Sequence, residues 1–221
     1  MAGNEIVILL LGPSRSGKTF FARHATRQGE NVNTGPTTEC ADYPFTVPTK
    51  RFLLIDTPGF DSPRENLSVL ERVAQRLSEL ENASQEVGGV IYFHNITERT
   101  VPWTDVELFG LICGQQFLRR RTVLLTTMWD KVDPQKHDRY NNVQTQVEQK
   151  FKGLSARQFF KFDGVTNGYE AVMEYFAGLG PKDAAQLTLT QEVQKSGLNI
   201  RRTKAGKAMI LAMNRAVCVV Q

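Results

Sequence analysis

The sequence predicts an α/β fold, in which a mostly parallel central sheet has helices on both faces and a C-terminal helical appendage follows. Short apolar runs, as expected of strands buried on both faces, recur along the chain at 5–11, 51–55, 88–94, 121–127 and 157–162. Apolar residues at helical spacing fill segments between them, for example 65–81 and 138–152. This alternation is typical of parallel sheets, because a parallel pair of strands needs a crossover connection.

The helical segments are predicted from one apolar face each. In 65–81 the face is formed by Leu67, Leu70, Ala74, Leu77 and Leu80. In 138–152 it is formed by Tyr140, Val143, Val147 and Phe151. A capping box from Thr104 to Glu107 is expected to open a further helix.

One connecting segment shows neither the helical nor the strand periodicity of apolar residues. The segment 29–50 is rich in Gly, Asn, Thr and Pro, and it is predicted to be a long irregular loop of the kind that often carries function. After about residue 180 the strand pattern stops, and two helical segments remain at roughly 182–196 and 203–217. We therefore expect one α/β domain at 1–180 and a basic helical C-terminal extension at 181–221.

The composition of the 221 residues is that of a soluble globular protein, with 41% hydrophobic and 23% charged residues. The three cysteines are scattered without CxxC spacing, which argues against a zinc site or disulfide framework and favours a reducing, cytoplasmic compartment. No stretch reaches about eighteen apolar residues, so no membrane span is expected. The start lacks the pattern of a signal peptide.

The charge is uneven along the chain. Of a formal net charge of +4, the segment from Pro181 onward holds seven Lys or Arg against two Asp or Glu, which leaves the first 180 residues at −1. The basic extension suits a peripheral contact with an acidic membrane or a protein partner. Its apolar positions Ile210, Met213 and Val217 equally suit packing against the preceding domain. No recognition motif accompanies the charge, so nucleic acid is not expected as a partner.

The stretch GPSRSGKT at 12–19 lies between the first apolar run and a helical segment. The spacing Gly-x4-Gly-Lys-Thr in this context is typical of a phosphate-binding loop, whose glycines let successive N–H groups surround an anion. Lys18 would reach the outer phosphates, and the Thr19 hydroxyl would ligate Mg2+. The residues expected to contact nucleotide here are Gly12, Pro13, Ser14, Arg15, Ser16, Gly17, Lys18, Thr19 and Phe20.

An acid and a tight turn end the next apolar run, in LLIDTPGF at 53–60. Asp56 would lie beside the phosphate loop, where open α/β sheets bind ligands, and would hold Mg2+ through a water. Gly59 has no side chain to block the approach of its N–H to a γ-phosphate. Together with the phosphate loop, this turn favours a nucleoside triphosphatase over a nucleotide kinase.

A base-binding segment is predicted in VLLTTMWDKVD at 123–133, another strand that ends in an acid. Guanine-binding proteins carry Asn/Thr-Lys-x-Asp here, and the carboxylate accepts hydrogen bonds from guanine N1–H and the 2-amino group, which adenine lacks. The four residues are Thr127, Met128, Trp129 and Asp130, so methionine replaces the lysine whose stem covers the base. A plain strand followed by an acidic turn is the alternative.

These motifs, in the order GPSRSGKT, DTPG and TMWD, resemble the guanine-nucleotide domain of the translation-factor-related (TRAFAC) class of P-loop GTPases. Within that class the chain is most similar to the branch of septins and GTPases of immunity-associated proteins. In TTMWDKVD and the tail TKAGK at 203–207 it resembles fungal G-domain proteins. The resemblance spans roughly 5–178 and implies a P-loop NTPase G domain that binds GTP or GDP with Mg2+ and hydrolyses GTP.

The resemblance implies further site residues. In the immunity-associated relatives, a threonine three residues before a cysteine closes over Mg2+ and the γ-phosphate. The stretch TTEC puts Thr37 at that position, with Thr38 as the alternative. The base-stacking loop of those relatives, Phe-Asn-Asn after the last strand, resembles Phe162, Asp163 and Gly164, with Asp163 departing from the pattern.

The catalytic position departs from Ras-like enzymes, which carry a water-orienting glutamine directly after the Asp-x-x-Gly turn. Phe60 stands there and cannot hold a water, so slow hydrolysis by the isolated chain is expected. Relatives with this substitution recover activity by dimerising across the nucleotide and supplying an arginine. Arg99 and Arg15 are the candidates for that role, with a solvated surface arginine as the alternative for each.

Three functions are compatible with the sequence. The first is a molecular switch, whose segments 29–50 and 60–66 would differ in order between the GTP and GDP forms. The second is a GTP-binding assembly module with little hydrolysis, which Phe60 favours. The third is a P-loop ATPase or kinase, which stays open only because TMWD departs from the guanine-binding motif.

Overall fold

Six strands form one mixed sheet in the computed structural model, which describes residues 5–27, 35–48, 50–61, 63–98, 100–101, 103–151, 153–154, 158–164, 168–180 and 185–218. The strands are β1 (Ile6–Leu11), β2 (Ala41–Val47), β3 (Lys50–Asp56), β4 (Val87–Asn95), β5 (Thr122–Thr127) and β6 (Phe159–Lys161). Their order across the sheet is β2-β3-β1-β4-β5-β6, and all neighbours are parallel except β2 with β3. The mostly parallel sheet expected from the sequence is confirmed.

Helices cover both faces of this sheet. In the described part of the chain they are α1 (Lys18–Thr26), α2 (Pro63–Asn82), α3 (Trp103–Cys113), α4 (Gln115–Arg121), α5 (His137–Lys150), α6 (Gly168–Ala177), α7 (Thr188–Ser196) and α8 (Lys204–Cys218). Consecutive residues of β1 point into different apolar cores: Leu9 packs with α2, α3, α7 and α8, and Leu10 packs with α1 and α6. Because β1 is buried on both faces, its sequence is a continuous run of apolar residues.

The segment 29–50 is not irregular throughout, and the prediction was wrong there. Its second half forms β2, an edge strand that pairs antiparallel with β3, from Ala41 opposite Asp56 to Val47 opposite Lys50. Pro44 and exposed polar residues interrupt the apolar pattern. An edge strand tolerates proline, which has no N–H to donate, because one of its hydrogen-bonding edges has no partner strand. Residues 29–34 and 49 of this segment lie outside the described residues.

The amphipathic helices expected at 65–81 and 138–152 are confirmed as α2 and α5. All five apolar residues predicted for the α2 face are buried. In α5, Val143 and Val147 are buried and Tyr140 is partly exposed. The 3.6-residue period therefore identified the buried faces of these two helices correctly.

The segments on either side of β5 refine the expected boundaries. The arginine run Arg119 to Arg121 forms the last turn of α4, where positive charge lies at the negative end of the helix. The final strand, expected at 157–162, is confined to β6. Gln158 is buried directly before it, and its Nε2 donates to the carbonyl oxygens of Leu118 and Thr122. This amide ties β6 to the start of β5.

The described part of the C-terminal extension packs on the core beneath α2 and α3. Leu189 and Val193 of α7 and Met209 of α8 are buried there. Ile210 and Met213 also contact this core, while the side chain of Val217 lies outside the described residues. The exposed basic residues in the described part of the extension are Lys195, Arg201, Arg202, Lys204, Lys207 and Arg215. The division of the chain at residue 180 stays a prediction.

The tail motif at 203–207 forms a tight entry into α8. The buried Thr203 donates through Oγ1 to the Ile200 carbonyl oxygen at 2.7 Å and accepts from the Gly206 N–H at 3.0 Å. A Cβ on Gly206 would lie 2.0 Å from that carbonyl oxygen, so the approach requires glycine. Within the described ranges, no helix has the length and apolar character needed to cross a membrane.

Candidate functional site

The predicted phosphate loop connects β1 to α1 in a conformation that depends on glycine. Gly12 has a φ of +144°, and a Cβ there would lie 2.5 Å from the Phe93 carbonyl oxygen of β4. Gly17 has a φ of +90° and is the N-cap of α1. Arg15 also has a positive φ, of 60°, and its side chain is exposed. Both glycines of the motif thus adopt backbone conformations that other residues rarely reach.

Lys18 turns its ammonium back into this loop. Its Nζ donates to the carbonyl oxygens of Gly12 at 3.1 Å and Pro13 at 2.8 Å, and the side chain is 5% exposed. Burial lowers the pKa of Lys18 to about 8, against the opposing attraction of Asp56 and Asp61. A buried cation with no carboxylate in direct hydrogen-bond contact within the described structure is well placed to attract an anion.

The three predicted metal ligands meet at the start of α1 and the end of β3. Thr19 Oγ1 donates to Asp56 Oδ2 at 2.6 Å, and Thr37 Oγ1 lies 3.0 Å from Thr19 Oγ1 and 3.2 Å from Asp56 Oδ2. Burial raises the pKa of Asp56, against hydrogen bonds from both threonines and the charge of Lys18. Of the two candidate threonines, Thr37 makes these contacts and Thr38 is exposed.

The turn after β3 lies directly on the phosphate loop. A Cβ on Gly59 would be 2.2 Å from the Ser14 nitrogen, so only glycine fits. The Phe60 N–H donates to the Gly12 carbonyl oxygen at 3.2 Å, and the Ser14 N–H donates to Asp61 Oδ1 at 2.8 Å. Asp61 was not predicted as a site residue, because this acid belongs to none of the recognised motifs.

The base end of the site is joined to the phosphate loop by Thr127. Its Oγ1 donates to the carbonyl oxygen of the buried Ser16 at 2.8 Å and lies 3.3 Å from that of His94. Met128 has a φ of 63° and precedes a 3-10 turn that contains Asp130. Asp130 is exposed and makes no hydrogen bond with another residue in the described part of the chain.

Trp129 is held by contacts with the neighbouring strands and helix. Its Nε1 donates to Thr126 Oγ1 at 3.0 Å, and the ammonium of Lys161 on β6 lies 4.1 Å from the centre of its ring. Lys161 also donates to Asn141 of α5 at 3.1 Å. The tryptophan therefore packs between β5, β6 and α5, and a cation–π contact helps to hold it there.

Phe162 does not fit the base-stacking position that the resemblance implied. Its ring is 2% exposed and packs edge-on against Phe21 and near His24, so no face is free to stack on a base. The chain still runs beside β5 at this residue, which directs the side chain into the core. The exposed aromatic nearby is Phe20, at 38% exposure, and a Cβ on Gly164 would lie 3.0 Å from its ring.

The structure describes two of the three remaining predicted site residues. Asp163 is partly exposed beside Gly164. Arg15 is exposed, as either of its two interpretations requires. Arg99 lies outside the described residues, so its role stays a prediction.

His94 is the penultimate residue of β4 and lies between the phosphate and base ends of the site, where its carbonyl oxygen is 3.3 Å from Thr127 Oγ1. Its side chain is 2% exposed, and its Nε2 has no hydrogen-bond partner within the described structure. Burial lowers the pKa of His94 to about 4, with a smaller contribution from Lys150 and an opposing hydrogen bond with the Glu98 backbone. This imidazole is therefore neutral at physiological pH.

Solved structures share this architecture at low sequence identity. Era in complex with MgGDPNP and a segment of 16S ribosomal RNA is 18% identical, with a TM-score of 0.57. Translation elongation factor SelB from Methanococcus maripaludis, in complex with the GTP analogue GppNHp, is 14% identical, with a TM-score of 0.55. Toc33 from Arabidopsis thaliana, as a dimerisation-deficient arginine-to-alanine mutant, is 14% identical, with a TM-score of 0.51.

These similarities cover most of this chain but only part of the larger proteins. They include 80% of the chain for Era, 81% for SelB and 75% for Toc33, and 57%, 35% and 73% of those chains respectively. The chain thus spans less than two thirds of Era and SelB. No protein-family model and no curated protein matches the sequence. At these identities the comparison shows the fold, a mostly parallel α/β sheet with helices on both faces.

Proposed function

We propose that the chain is a guanine-nucleotide-binding protein that binds GTP and GDP with Mg2+, hydrolyses GTP slowly and acts as a molecular switch. The observation that carries the proposal is the contact among Thr19, Thr37 and Asp56. It lies beside a glycine-dependent loop that holds the buried ammonium of Lys18. Two hydroxyls, a carboxylate and an ammonium in this arrangement suit a metal-bound phosphate chain.

The donor set fits Mg2+. Thr19, Thr37 and Asp56 offer oxygen atoms only, the donor type that this ion prefers. Asp56 Oδ1 is buried and has no hydrogen-bond partner within the described structure, which a cation or its water shell would supply. When bound, Mg2+ would neutralise charge on the phosphate oxygens. Era, which shares the fold, is seen with MgGDPNP.

The nucleotide would lie along the carboxyl ends of the strands, with its phosphates in the loop at 12–19. Lys18 would meet the outer phosphates, and Gly59 would offer its N–H to the γ-phosphate. Asp130 would accept hydrogen bonds from guanine, since its carboxylate is exposed and has no described hydrogen-bond partner. The link from Thr127 to Ser16 would keep the base and phosphate sites at a fixed separation.

Binding is tested by calorimetry on the whole chain with GTP, GDP and ATP, each with Mg2+ and with EDTA. We expect GTP and GDP to bind more tightly than ATP, and Mg2+ to strengthen GTP binding, because the metal screens the charge on the phosphates. Equal affinity for ATP and GTP would support the ATPase or kinase alternative. Absence of nucleotide binding would overturn the whole proposal.

Slow hydrolysis is proposed because Phe60 occupies the position of the water-orienting residue. Its ring is 4% exposed in the core, so no polar group at this position reaches a water beside the phosphates. We propose that a second copy of the chain supplies an arginine in a nucleotide-dependent homodimer, where such a residue is worth about 10^3 to 10^5 in rate. Toc33, which has the same fold, loses dimerisation when an arginine is mutated to alanine.

Dimer-dependent hydrolysis predicts that specific activity rises with protein concentration. Arg99→Ala should lower the rate and leave GTP affinity nearly intact, since a residue acting in trans contributes little to ground-state binding. Arg15→Ala should change both, because Arg15 belongs to the phosphate loop. Turnover that is independent of concentration, with both variants as active as the parent, would exclude this mechanism.

The buried Phe60 also favours a second candidate, a GTP-binding assembly module with little hydrolysis. In that case nucleotide would be bound but not turned over at any protein concentration, and GTP analogues and GTP would promote assembly equally.

We further propose a cytoplasmic location and a peripheral membrane or protein contact through the exposed basic residues of the C-terminal helices. Vesicle co-sedimentation with and without anionic lipid tests the membrane contact.

A further inference from the structure

We propose that Asp61 sets the preference of this site between nucleoside diphosphate and triphosphate. Its carboxylate accepts a hydrogen bond from a backbone N–H of the phosphate loop, and a triphosphate must approach that same N–H. The inference rests on the proposed function, since it requires nucleotide to bind at the loop. Asp61 lies in no motif, and its contact with the loop is the only reason to assign it a role.

The contact is specific. The Ser14 N–H donates to Asp61 Oδ1 at 2.8 Å, so a negatively charged oxygen already lies at a nitrogen of the phosphate loop. Backbone N–H groups in such loops are the donors that bind phosphate oxygens. A carboxylate oxygen at this position is a hydrogen-bond acceptor, as a phosphate oxygen would be. The two oxygens therefore compete for one N–H, because a single donor cannot form a strong hydrogen bond to both.

Two neighbouring contacts hold the turn in this closed position. Gly59 lies against Ser14 so closely that a Cβ would be 2.2 Å from the Ser14 nitrogen. The Phe60 N–H donates to the Gly12 carbonyl oxygen at 3.2 Å. The turn that carries Asp61 therefore touches the loop at three consecutive residues.

The ring of Phe60 anchors the turn from the other side. It is 4% exposed and, with Leu11, Tyr92 and Phe109, it lines a cavity of only about 10 Å3, so the ring nearly fills its pocket. A side chain packed at this density has few alternative positions. The closed turn is thus fixed by an apolar anchor at residue 60 and a charged contact at residue 61.

Charge gives the contact its selectivity. Asp61 and Asp56 both attract the Lys18 ammonium in this structure. A γ-phosphate would bring further negative charge to the same ammonium and would repel the Asp61 carboxylate. A diphosphate lacks that outermost group and leaves the carboxylate in place. The exposed position of Asp61 limits the effect, because water and salt screen it.

The test measures the dissociation constants of GDP and GppNHp, in Mg2+, for the parent chain, Asp61→Asn and Asp61→Ala. Asn removes the charge and keeps an acceptor oxygen, while Ala removes both. We expect GppNHp affinity relative to GDP to rise about fivefold in Asp61→Asn, the effect of one charge contact in a solvated setting, and at least as much in Asp61→Ala. GDP affinity should change less than about twofold.

Asp138→Asn is the matched control, since it removes the same charge from an exposed position in the first turn of α5. It should leave the ratio unchanged, and the Asp61 effect should shrink at high salt. An unchanged ratio in both Asp61 variants, with both nucleotides still bound, would overturn the inference and leave the proposed function standing. A parent chain that binds neither nucleotide would overturn both.

Discussion

The phosphate end and the base end of the candidate site are built in different ways. At the phosphate end, Lys18, Thr19 and Asp56 are buried or half-buried and linked through short contacts. At the base end, Asp130 is exposed without a described hydrogen-bond partner, and the expected stacking residue Phe162 is in the core. The difference shows that a glycine-dependent loop and buried side-chain contacts assemble the phosphate end, whereas the predicted side chains of the base end are not brought together in this way.

The largest expected effect breaks the phosphate end. Lys18→Ala should weaken GTP binding by more than about hundredfold, because it removes the cation buried in the loop and a charged contact in such a setting is worth about 3 kcal/mol or more. The chain should still fold, since Lys18 makes its hydrogen bonds to carbonyl oxygens of its own loop. Calorimetric titration measures the affinity, and circular dichroism checks the fold.

Lys195→Ala is the control for that change, because Lys195 is exposed in the last turn of α7. It should bind GTP like the parent. If Lys18→Ala also binds GTP like the parent, the loop at 12–19 is not the phosphate site.

The second effect concerns stability, at His94 between the two ends. The ordinary pKa of 6.5 is lowered to about 4 in the folded chain, so protons bind the unfolded state first. Stability is therefore full above about pH 6.5 and falls as the pH drops towards 4, by about 3 kcal/mol in total from this group. Urea denaturation from pH 7 to pH 4 measures this loss.

His94→Leu isolates the contribution of the imidazole, because the carboxylates titrate alike in both proteins. The difference in free energy of unfolding between parent and variant should change by about 3 kcal/mol over that pH range. A difference that stays constant with pH would show that His94 is solvated in solution and not buried as described.

The third effect tests whether the base end selects guanine at all. Asp130→Asn should reduce the preference for GTP over ATP by roughly tenfold to a hundredfold, the cost of one mispaired acceptor. Its amide can turn an NH2 towards adenine N1 but loses one acceptor for guanine. Competition of ATP against bound GTP measures the preference.

Asp133→Asn is the matched control at this end. Asp133 accepts from the Gln135 N–H at the start of the next 3-10 turn, a cap that asparagine also provides. It should keep the parent's preference. A parent chain that binds ATP as tightly as GTP would remove the guanine assignment before any variant is made.

The same contrast explains what the sequence could predict. The phosphate loop, Asp56 and the apolar strands were predictable because a short-range pattern requires them: glycines where φ is positive, and an acid at the carboxyl end of a strand. The contact between Asp61 and Ser14 joins residues 47 positions apart and has no local pattern. The inward orientation of Phe162 is set by packing on Phe21, which spacing along the chain does not encode.

The smallest effect distinguishes two adjacent threonines at the phosphate end. Thr37 Oγ1 lies 3.2 Å from Asp56 Oδ2, whereas Thr38 is exposed. Valine at either position keeps the β-branched shape and removes only the hydroxyl. Thr37→Val should therefore lower GTP affinity about tenfold in Mg2+, as loss of a metal-site oxygen typically does.

Comparing the two valine variants with and without Mg2+ tests whether the Thr37 hydroxyl oxygen acts through the metal. In EDTA, Thr37→Val should bind GTP like the parent, because its missing hydroxyl acts only through the metal. Thr38→Val should match the parent with and without Mg2+, since its side chain makes no contact with Thr19 or Asp56 in the described structure. If Thr38→Val lost the Mg2+ effect and Thr37→Val kept it, the segment 35–40 would have to move by one residue when nucleotide binds. The contacts around Asp56 would then belong to the nucleotide-free form alone, and the phosphate end would depend on rearrangement as much as the base end does.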